Sequence, residues 1–126
     1  MAHEHRIAIV DDDESVREAA INLFRSMRLP AVAFASAKEF LDSDVASTTS
    51  CLVLDVQMPG MSGLELQSHL AATGEPIPIV FITAHPDQRV REEAMQSGAV
   101  CFLTKPFNEG DLLAGLKSSL KATNDE

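Results

Sequence analysis

The sequence has no tryptophan and no tyrosine, and its aromatic residues amount to six phenylalanines. A site that sandwiches a flavin between rings is poorly served by that set. Cations are also scarce: 10 Lys and Arg stand against 19 Asp and Glu, a formal charge of −9. Phosphate contacts need clustered Lys and Arg, so the chain is not expected to grip nucleic acid by itself. Nor is it expected to dock on a membrane through a polybasic surface. No apolar run approaches the ~20 residues of a membrane span. The opening Met-Ala-His-Glu-His-Arg leads straight into residues 7–10 and then three aspartates. A secretory signal would need an apolar stretch of ~7–15 residues and a small-residue cleavage site. The two cysteines, Cys51 and Cys101, both stand in apolar runs. They suit neither a metal spacing nor a disulfide framework, and a reducing, cytoplasmic setting is expected.

What is present is one domain's length, 126 residues, with 45% hydrophobic residues to build a core. Five short apolar runs, at 6–10, 31–35, 51–54, 77–82 and 100–103, alternate with stretches of helical period. Such runs, bounded by turns, read as buried parallel strands. The small residues of the second suit a less buried edge. Val16, Ala19, Ala20, Leu23, Phe24 and Met27 lay an apolar stripe along 14–28. Ser62-Gly63-Leu64-Glu65 is a capping box opening a helix to about residue 72. A mostly polar helix at 87–97 has Val90, Ala94 and Met95 as apolar anchors and Gly98 as its stop. Asn108 caps the last helix with Asp111 at its third position. Phe107 can staple to Leu112, and Leu113, Leu116 and Leu120 extend the stripe. A short helix is expected at 37–41, loops at 44–50 and 72–76, and a polar tail at 121–126, leaving one domain at 6–120. Alternating strand and helix mean a doubly wound parallel α/β sheet with helices on both faces. Ligands of such sheets bind outside the carboxyl ends of the strands.

The first strand runs into Asp11-Asp12-Asp13-Glu14, the third into Asp55, the fourth into Thr83-Ala84 and the fifth into Thr104-Lys105-Pro106. Taken singly, acids ahead of a helix are caps, and an Asp before a turn is a turn residue. At successive parallel strand ends they share one rim. Two carboxylates ~4 Å apart repel by about 4 kcal/mol at an effective dielectric of ~20, so three in one pocket need a cation or a proton. Oxygen donors with a few waters suit Mg²⁺, with Ca²⁺ or Mn²⁺ as substitutes. A cation, a carboxylate, a hydroxyl and an ammonium make a phosphoryl site. Metal and lysine balance the phosphoryl oxygens, the hydroxyl hydrogen-bonds one of them, and the remaining carboxylate is a nucleophile of the aspartyl-phosphate type.

Four segments carry a family likeness: Ile9-Val10-Asp11-Asp12, Leu54-Asp55-Val56-Gln57-Met58-Pro59-Gly60-Met61-Ser62-Gly63, Thr83-Ala84 and Lys105-Pro106-Phe107. In this order and spacing the chain resembles the receiver (phosphoacceptor) domain of two-component response regulators, over about residues 6–120. The nitrogen-fixation-type subgroup fits best, because Phe102 occupies the aromatic switch position where Phe is common in that subgroup. The resemblance implies a flavodoxin-like sheet of five parallel strands in the order 2-1-3-4-5. It implies phosphorelay signalling, with Asp55 accepting the phosphoryl group of a sensor histidine kinase or phosphotransfer protein. It implies Mg²⁺ held directly by Asp12, Asp55 and the backbone carbonyl of Gln57, with Asp11 through water; Mn²⁺ can stand in. Thr83 and Lys105 would contact phosphoryl oxygens, and Asp13, outside the ligand pattern, reads as a helix cap. Gln57 and His85, two residues beyond Asp55 and Thr83, would flank an attacking water and tune the phosphoryl lifetime. Helix 87–97, strand 100–103 and helix 108–120 would form the face that changes, giving a phosphorylation-dependent homodimer. Such a domain is a phosphoacceptor able to catalyse its own phosphorylation and dephosphorylation, not a separate enzyme. A cis Lys105–Pro106 bond is expected from the same likeness. In the 2-1-3-4-5 order, Cys51 and Cys101 are two strand spacings apart, about 9.6 Å. That exceeds the ~7 Å Cα separation a disulfide tolerates, so both should stay reduced.

Three rivals use the same fold or rim. An FMN protein needs a Ser/Thr/Gly-rich phosphate loop after the first strand, where this chain has four acids. A Mg²⁺-dependent phosphatase with an Asp nucleophile usually carries a second acid two residues further on, where Gln57 stands. A pseudo-receiver that only docks partners has no need of the phosphorylation residues, and all of them are here.

Overall fold

In the computed structural model, which describes residues 6–124, five parallel strands form one sheet. They are β1 (Arg6–Val10), β2 (Ala31–Phe34), β3 (Thr49–Asp55), β4 (Ile79–Thr83) and β5 (Cys101–Thr104), in the order β2-β1-β3-β4-β5. Four helices connect them, α1 (Glu14–Ser26), α2 (Ala37–Asp42), α3 (Gly63–Ala72) and α4 (Gln88–Gln96), and α5 (Glu109–Asn124) follows β5. This is the flavodoxin-like order that the resemblance implied. Val10 pairs with Phe34 and Leu54, Asp55 with Ile82, and Thr83 with Thr104, so the carboxyl ends of the strands share one edge.

Strand side chains alternate between two separate cores, which explains why the apolar runs are continuous. Ala8, Val10, Leu52, Leu54, Ile79 and Phe81 pack with Ala37 and Phe40 of α2, Leu66 and Leu70 of α3, and Ala94 of α4. Ile7, Ile9, Cys51, Val53, Val80 and Ile82 pack with Ala20 and Phe24 of α1 and Leu112 and Leu116 of α5. The edge strand β2 is half-buried throughout, as its small residues predicted. Both cysteines are free, and the Lys105–Pro106 peptide is cis.

The helix signals act where the sequence put them. The Asp13 side chain accepts from Ser15 N–H and caps α1. Ser62 and Glu65 form the reciprocal capping box of α3. Asn108 Oδ1 accepts from Asp111 N–H at 2.7 Å. Gly98, at φ 104°, lets Ala99 N–H reach back to Ala94 O at 3.1 Å and stops α4.

Four boundaries differ by two residues or more. The first helix ends at Ser26 and not at 28, because Arg28 takes a left-handed φ of 61° and Leu29 N–H returns to Phe24 O. Met27 therefore leaves the stripe and stands 40% exposed, and Ala19 is exposed too. Residues 44–50 are not all loop: a 3₁₀ turn, Ala46–Thr48, leads into β3 at Thr49, with the Thr48 and Thr49 hydroxyls both donating to Val45 O. The fourth strand starts at Ile79, after Pro76 and Pro78, which have no N–H to give a ladder. The last helix continues to Asn124, so the first four residues of the expected tail are helical. Among the described residues no helix is long and apolar enough to cross a membrane.

The turn after β3 is drawn tightly onto α3. Gly63 N–H donates to Val56 O at 2.9 Å, and a Cβ on Gly63 would run into Asp55 O and come within 3.0 Å of Val56 Cα. Both obstacles are backbone and cannot swing aside. Gly63→Ala should therefore destabilise the fold by about 1–3 kcal/mol, read as a lower urea midpoint. An unchanged midpoint would show that this turn yields freely.

Candidate functional site

Of the residues singled out from the sequence, Asp11, Asp12, Asp55 and Lys105 meet at the carboxyl edge of the sheet. Asp11 follows β1, Asp55 ends β3, Thr83 ends β4, and Lys105 follows β5. Asp11, Asp55 and Thr83 are buried, Lys105 is half-buried, and Asp12 is exposed. Carboxylate oxygens of Asp11, Asp12 and Asp55 lie within 4.8 Å of one another. Lys105 Nζ stands 2.8 Å from Asp11 Oδ2 and 3.5 Å from Asp55 Oδ2.

Asp11 Oδ2 is buried against the Lys105 ammonium, and among the described residues no other donor reaches it, so its second lone pair is open. A buried carboxylate oxygen with an open acceptor position, beside two more carboxylates, fits a hard divalent cation. The residues present thus suit the Mg²⁺ that the family likeness implies. Gln57 is exposed, and its N–H approaches Asp55 Oδ1 at 3.4 Å. Asp13 points its carboxylate into the cap, where hydrogen bonds from the Ser15 hydroxyl and N–H hold it below the usual carboxylate range.

Asp55 is pushed up to about 7, first by burial and then by the charge of Asp11, with Lys105 pulling the other way. Burial alone would lower Lys105, but Asp11 and Asp55 outweigh it and leave the ammonium above its ordinary value. Lys105 is also held by its backbone, whose N–H donates to Thr83 O at 2.7 Å. The Thr83 hydroxyl accepts from His85 N–H at 3.0 Å and donates to His85 O at 3.2 Å, so it is engaged with the loop before α4. His85 itself is exposed. Phe102 is half-buried, its ring centroid 6.1 Å from that of Phe81. Beside it lies a cleft of about 260 Å³ lined by Pro86, Asp87, Gln88, Arg91, Phe102 and Thr104.

Motif reading passes over Arg17, whose Nη1 donates to the carbonyl oxygen of Asp11 at 2.8 Å. The sequence does carry one signal for it. A cation near the start of a helix runs against the helix dipole and calls for another reason.

A parallel 2-1-3-4-5 sheet with acids and a lysine on its carboxyl edge defines a flavodoxin-like, receiver-type α/β protein. A family model described as the response regulator receiver domain matches residues 7–117. The chain belongs to that family: it is a receiver domain of two-component response regulators, the class that works in phosphorelay signalling. Nodulation protein W of Bradyrhizobium diazoefficiens is 51% identical over 107 residues, 85% of this chain and 47% of that protein. Response regulator protein TmoT of Ectopseudomonas mendocina is 48% identical over 118 residues, 94% of this chain and 54% of that one. The chain spans about half the length of the curated relatives it matches. Among solved structures, response regulator StyR superposes with a TM-score of 0.88 at 46% identity, covering 94% of this chain and 60% of that one. FixJ-N gives 0.84 at 32% identity, covering 95% and 96%.

The raised Asp55 carboxyl has a consequence for stability. Without metal, the folded state holds this proton more tightly than the unfolded chain, whose carboxyl stays near 3.8. The contribution of Asp55 to stability therefore falls as pH rises from 3.8 to about 7. Mg²⁺ competes with the proton for the same carboxylate. It should raise the thermal midpoint more at pH 8 than at pH 5, and equal shifts at both would contradict cation binding at Asp55.

Proposed function

We propose that this receiver domain accepts a phosphoryl group on Asp55 from the phosphohistidine of a sensor histidine kinase or phosphotransfer protein in the cytoplasm. The modified state then changes what its α4, β5 and α5 surface binds. The observation that carries this reading is the buried Asp55 carboxylate, 3.5 Å from the Lys105 ammonium and grouped with Asp11 and Asp12. An Asp55 oxygen forms the new P–O bond as the P–N bond to the imidazole breaks, and the imidazole leaves with the bonding pair and takes up a proton. Mg²⁺ or Mn²⁺ held by Asp12, Asp55 and the Gln57 carbonyl, with Asp11 through water, would supply the positive charge that three carboxylates and a phosphoryl group require. Lys105 balances a phosphoryl oxygen and holds Asp11 and Asp55 in place.

Thr83 is the transmitter in this reading. Turning its hydroxyl toward a phosphoryl oxygen gives up both bonds to His85 and loosens the loop before α4. Only Ala94 of α4 is fully buried, so this helix shifts at low cost. The cleft beside Phe102 gives its ring somewhere to turn. A Phe has no hydroxyl to bond, so ring packing alone reports the change, and the altered face favours self-association. An exposed Gln57 in place of a second acid disfavours the phosphatase rival.

With a small phosphoryl donor and Mg²⁺, the wild-type protein and Asp13→Ala should gain an acid-labile phosphoryl group by intact mass, and Asp55→Asn should not. Full labelling of Asp55→Asn would sink the assignment. Followed as a decay, the same assay should show altered lifetimes in Gln57→Ala and His85→Ala; identical decay would reduce both to ordinary loop residues.

Sedimentation with a beryllofluoride mimic should show a heavier species than the untreated protein. An unchanged mass would remove dimerisation from the output.

A further inference from the structure

Asp11 is held from four directions. Its N–H donates to Phe34 O at 3.1 Å, and its Oδ1 accepts from Asp13 N–H at 2.8 Å. Its Oδ2 faces Lys105 Nζ at 2.8 Å, and its carbonyl oxygen accepts from Arg17 Nη1 at 2.8 Å. The first three fix the strand end and the carboxylate of Asp11. The fourth alone acts on the peptide plane that leads into Asp12. Asp12 is exposed and belongs to neither strand nor helix, so the direction of its carboxylate depends on the two peptides that flank it: Arg17 holds the one before it, and the Asp13 N–H bond to Asp11 Oδ1 holds the one after it. Asp11 is fully buried, and without Arg17 its carbonyl would lose a partner at a place where unpaired acceptors are costly.

The arginine is not placed there by ordinary surface pairing. Glu14 and Glu18 are its neighbours in α1, yet among the described residues no carboxylate lies within ion-pair distance of it. Its planar fork reaches back along the helix to a backbone oxygen, against the preference of the helix dipole for anions at this end.

We propose that Arg17 is a positioning residue for the cation-binding carboxylates: it orients the Asp11–Asp12 peptide and so aims Asp12 into the pocket. The proposal rests on the reading of Asp12 and Asp55 as cation ligands. Two effects of Arg17 oppose each other, which makes it testable by sign. As a nearby positive charge it repels a cation, so charge alone predicts tighter Mg²⁺ binding when it is removed. As a support for a ligand it predicts weaker binding, by roughly tenfold for a partner one step removed from the metal.

The test is titration of the whole chain with MgCl₂ alone, followed by amide NMR shifts, since there is no Trp or Tyr to report by fluorescence. Arg17→Met should bind Mg²⁺ about tenfold more weakly, and Arg17→Lys should recover part of the loss through its ammonium, which can donate but lacks the planar fork. In the metal-free state, the Asp12 and Asp13 amides of Arg17→Met should exchange faster than in the wild type. Unchanged or tighter binding in Arg17→Met would overturn the proposal, even with a lowered melting midpoint, because that pattern marks a purely structural contact. Should Arg17→Met fail to fold, Arg17→Gln is read by the same criterion. Asp12→Ala separates the levels. If the wild type binds Mg²⁺, Asp12→Ala does not, and Arg17→Met matches the wild type, only the role of Arg17 falls. If the wild type binds no Mg²⁺, the cation reading and this proposal fall together.

Discussion

A single ammonium set between two buried carboxylates is the constraint on which the carboxyl end of this sheet depends. Lys105 Nζ is 2.8 Å from Asp11 and 3.5 Å from Asp55. At such distances an attraction amounts to several kcal/mol at an effective dielectric of ~20. Desolvation of the three groups consumes much of it, so the cluster is weak evidence for stability. It is strong evidence for an unfinished charge balance. Three carboxylates share one lysine, one buried oxygen retains an open acceptor position, and Asp55 holds its proton to about 7. The two apolar layers supply the stability that lets the protein keep this cluster.

Backbone contacts deliver the charged groups to one place. Lys105 N–H is tied to Thr83 O, Asp11 N–H to Phe34 O, and Gly63 N–H to Val56 O just after Asp55. Each bond links one strand end to a neighbouring segment, so the rim is set by the sheet's edge and not by flexible side chains. Gly63 allows α3 to begin against the Asp55 carbonyl, which keeps the turn carrying Gln57 short. The hydroxyl of Thr83 is the exception: it faces the loop before α4 and is engaged by His85.

Much of this was legible before any coordinates. Five apolar runs gave five parallel strands because both faces are covered, and Asp13, Ser62, Asn108 and Gly98 acted as the punctuation their chemistry predicts. Asp11, Asp12, Asp55 and Lys105 converge because parallel strands must end on one edge. What escaped the pattern are features decided by three-dimensional partners. Met27 fits the helical stripe, but the left-handed turn at Arg28 ends the helix first. Thr49 looks like a loop residue until its pairing with Arg6 recruits it into β3. Polar residues 121–124 carry no apolar stripe, yet the helix continues through them. Arg17 looks like surface charge, and only its reach to Asp11 O distinguishes it.

The sheet also acts as a partition. Phe24 and Phe40 are both fully buried but lie in different layers, with the strands between them and no shared cluster. Phe81 and Phe102 lie in the α2–α4 layer with ring centroids 6.1 Å apart. Substitutions in opposite layers should therefore act independently on stability, while those within one layer should interact. A genetic screen would meet this wall as a bias. Second-site suppressors of a packing defect at Phe102 belong among α2, α3 and α4, and α1 should yield few of them. Any disturbance that starts at Phe102 meets Phe81 of β4 by direct ring contact, and it reaches α5, which packs on the other face, through the strands.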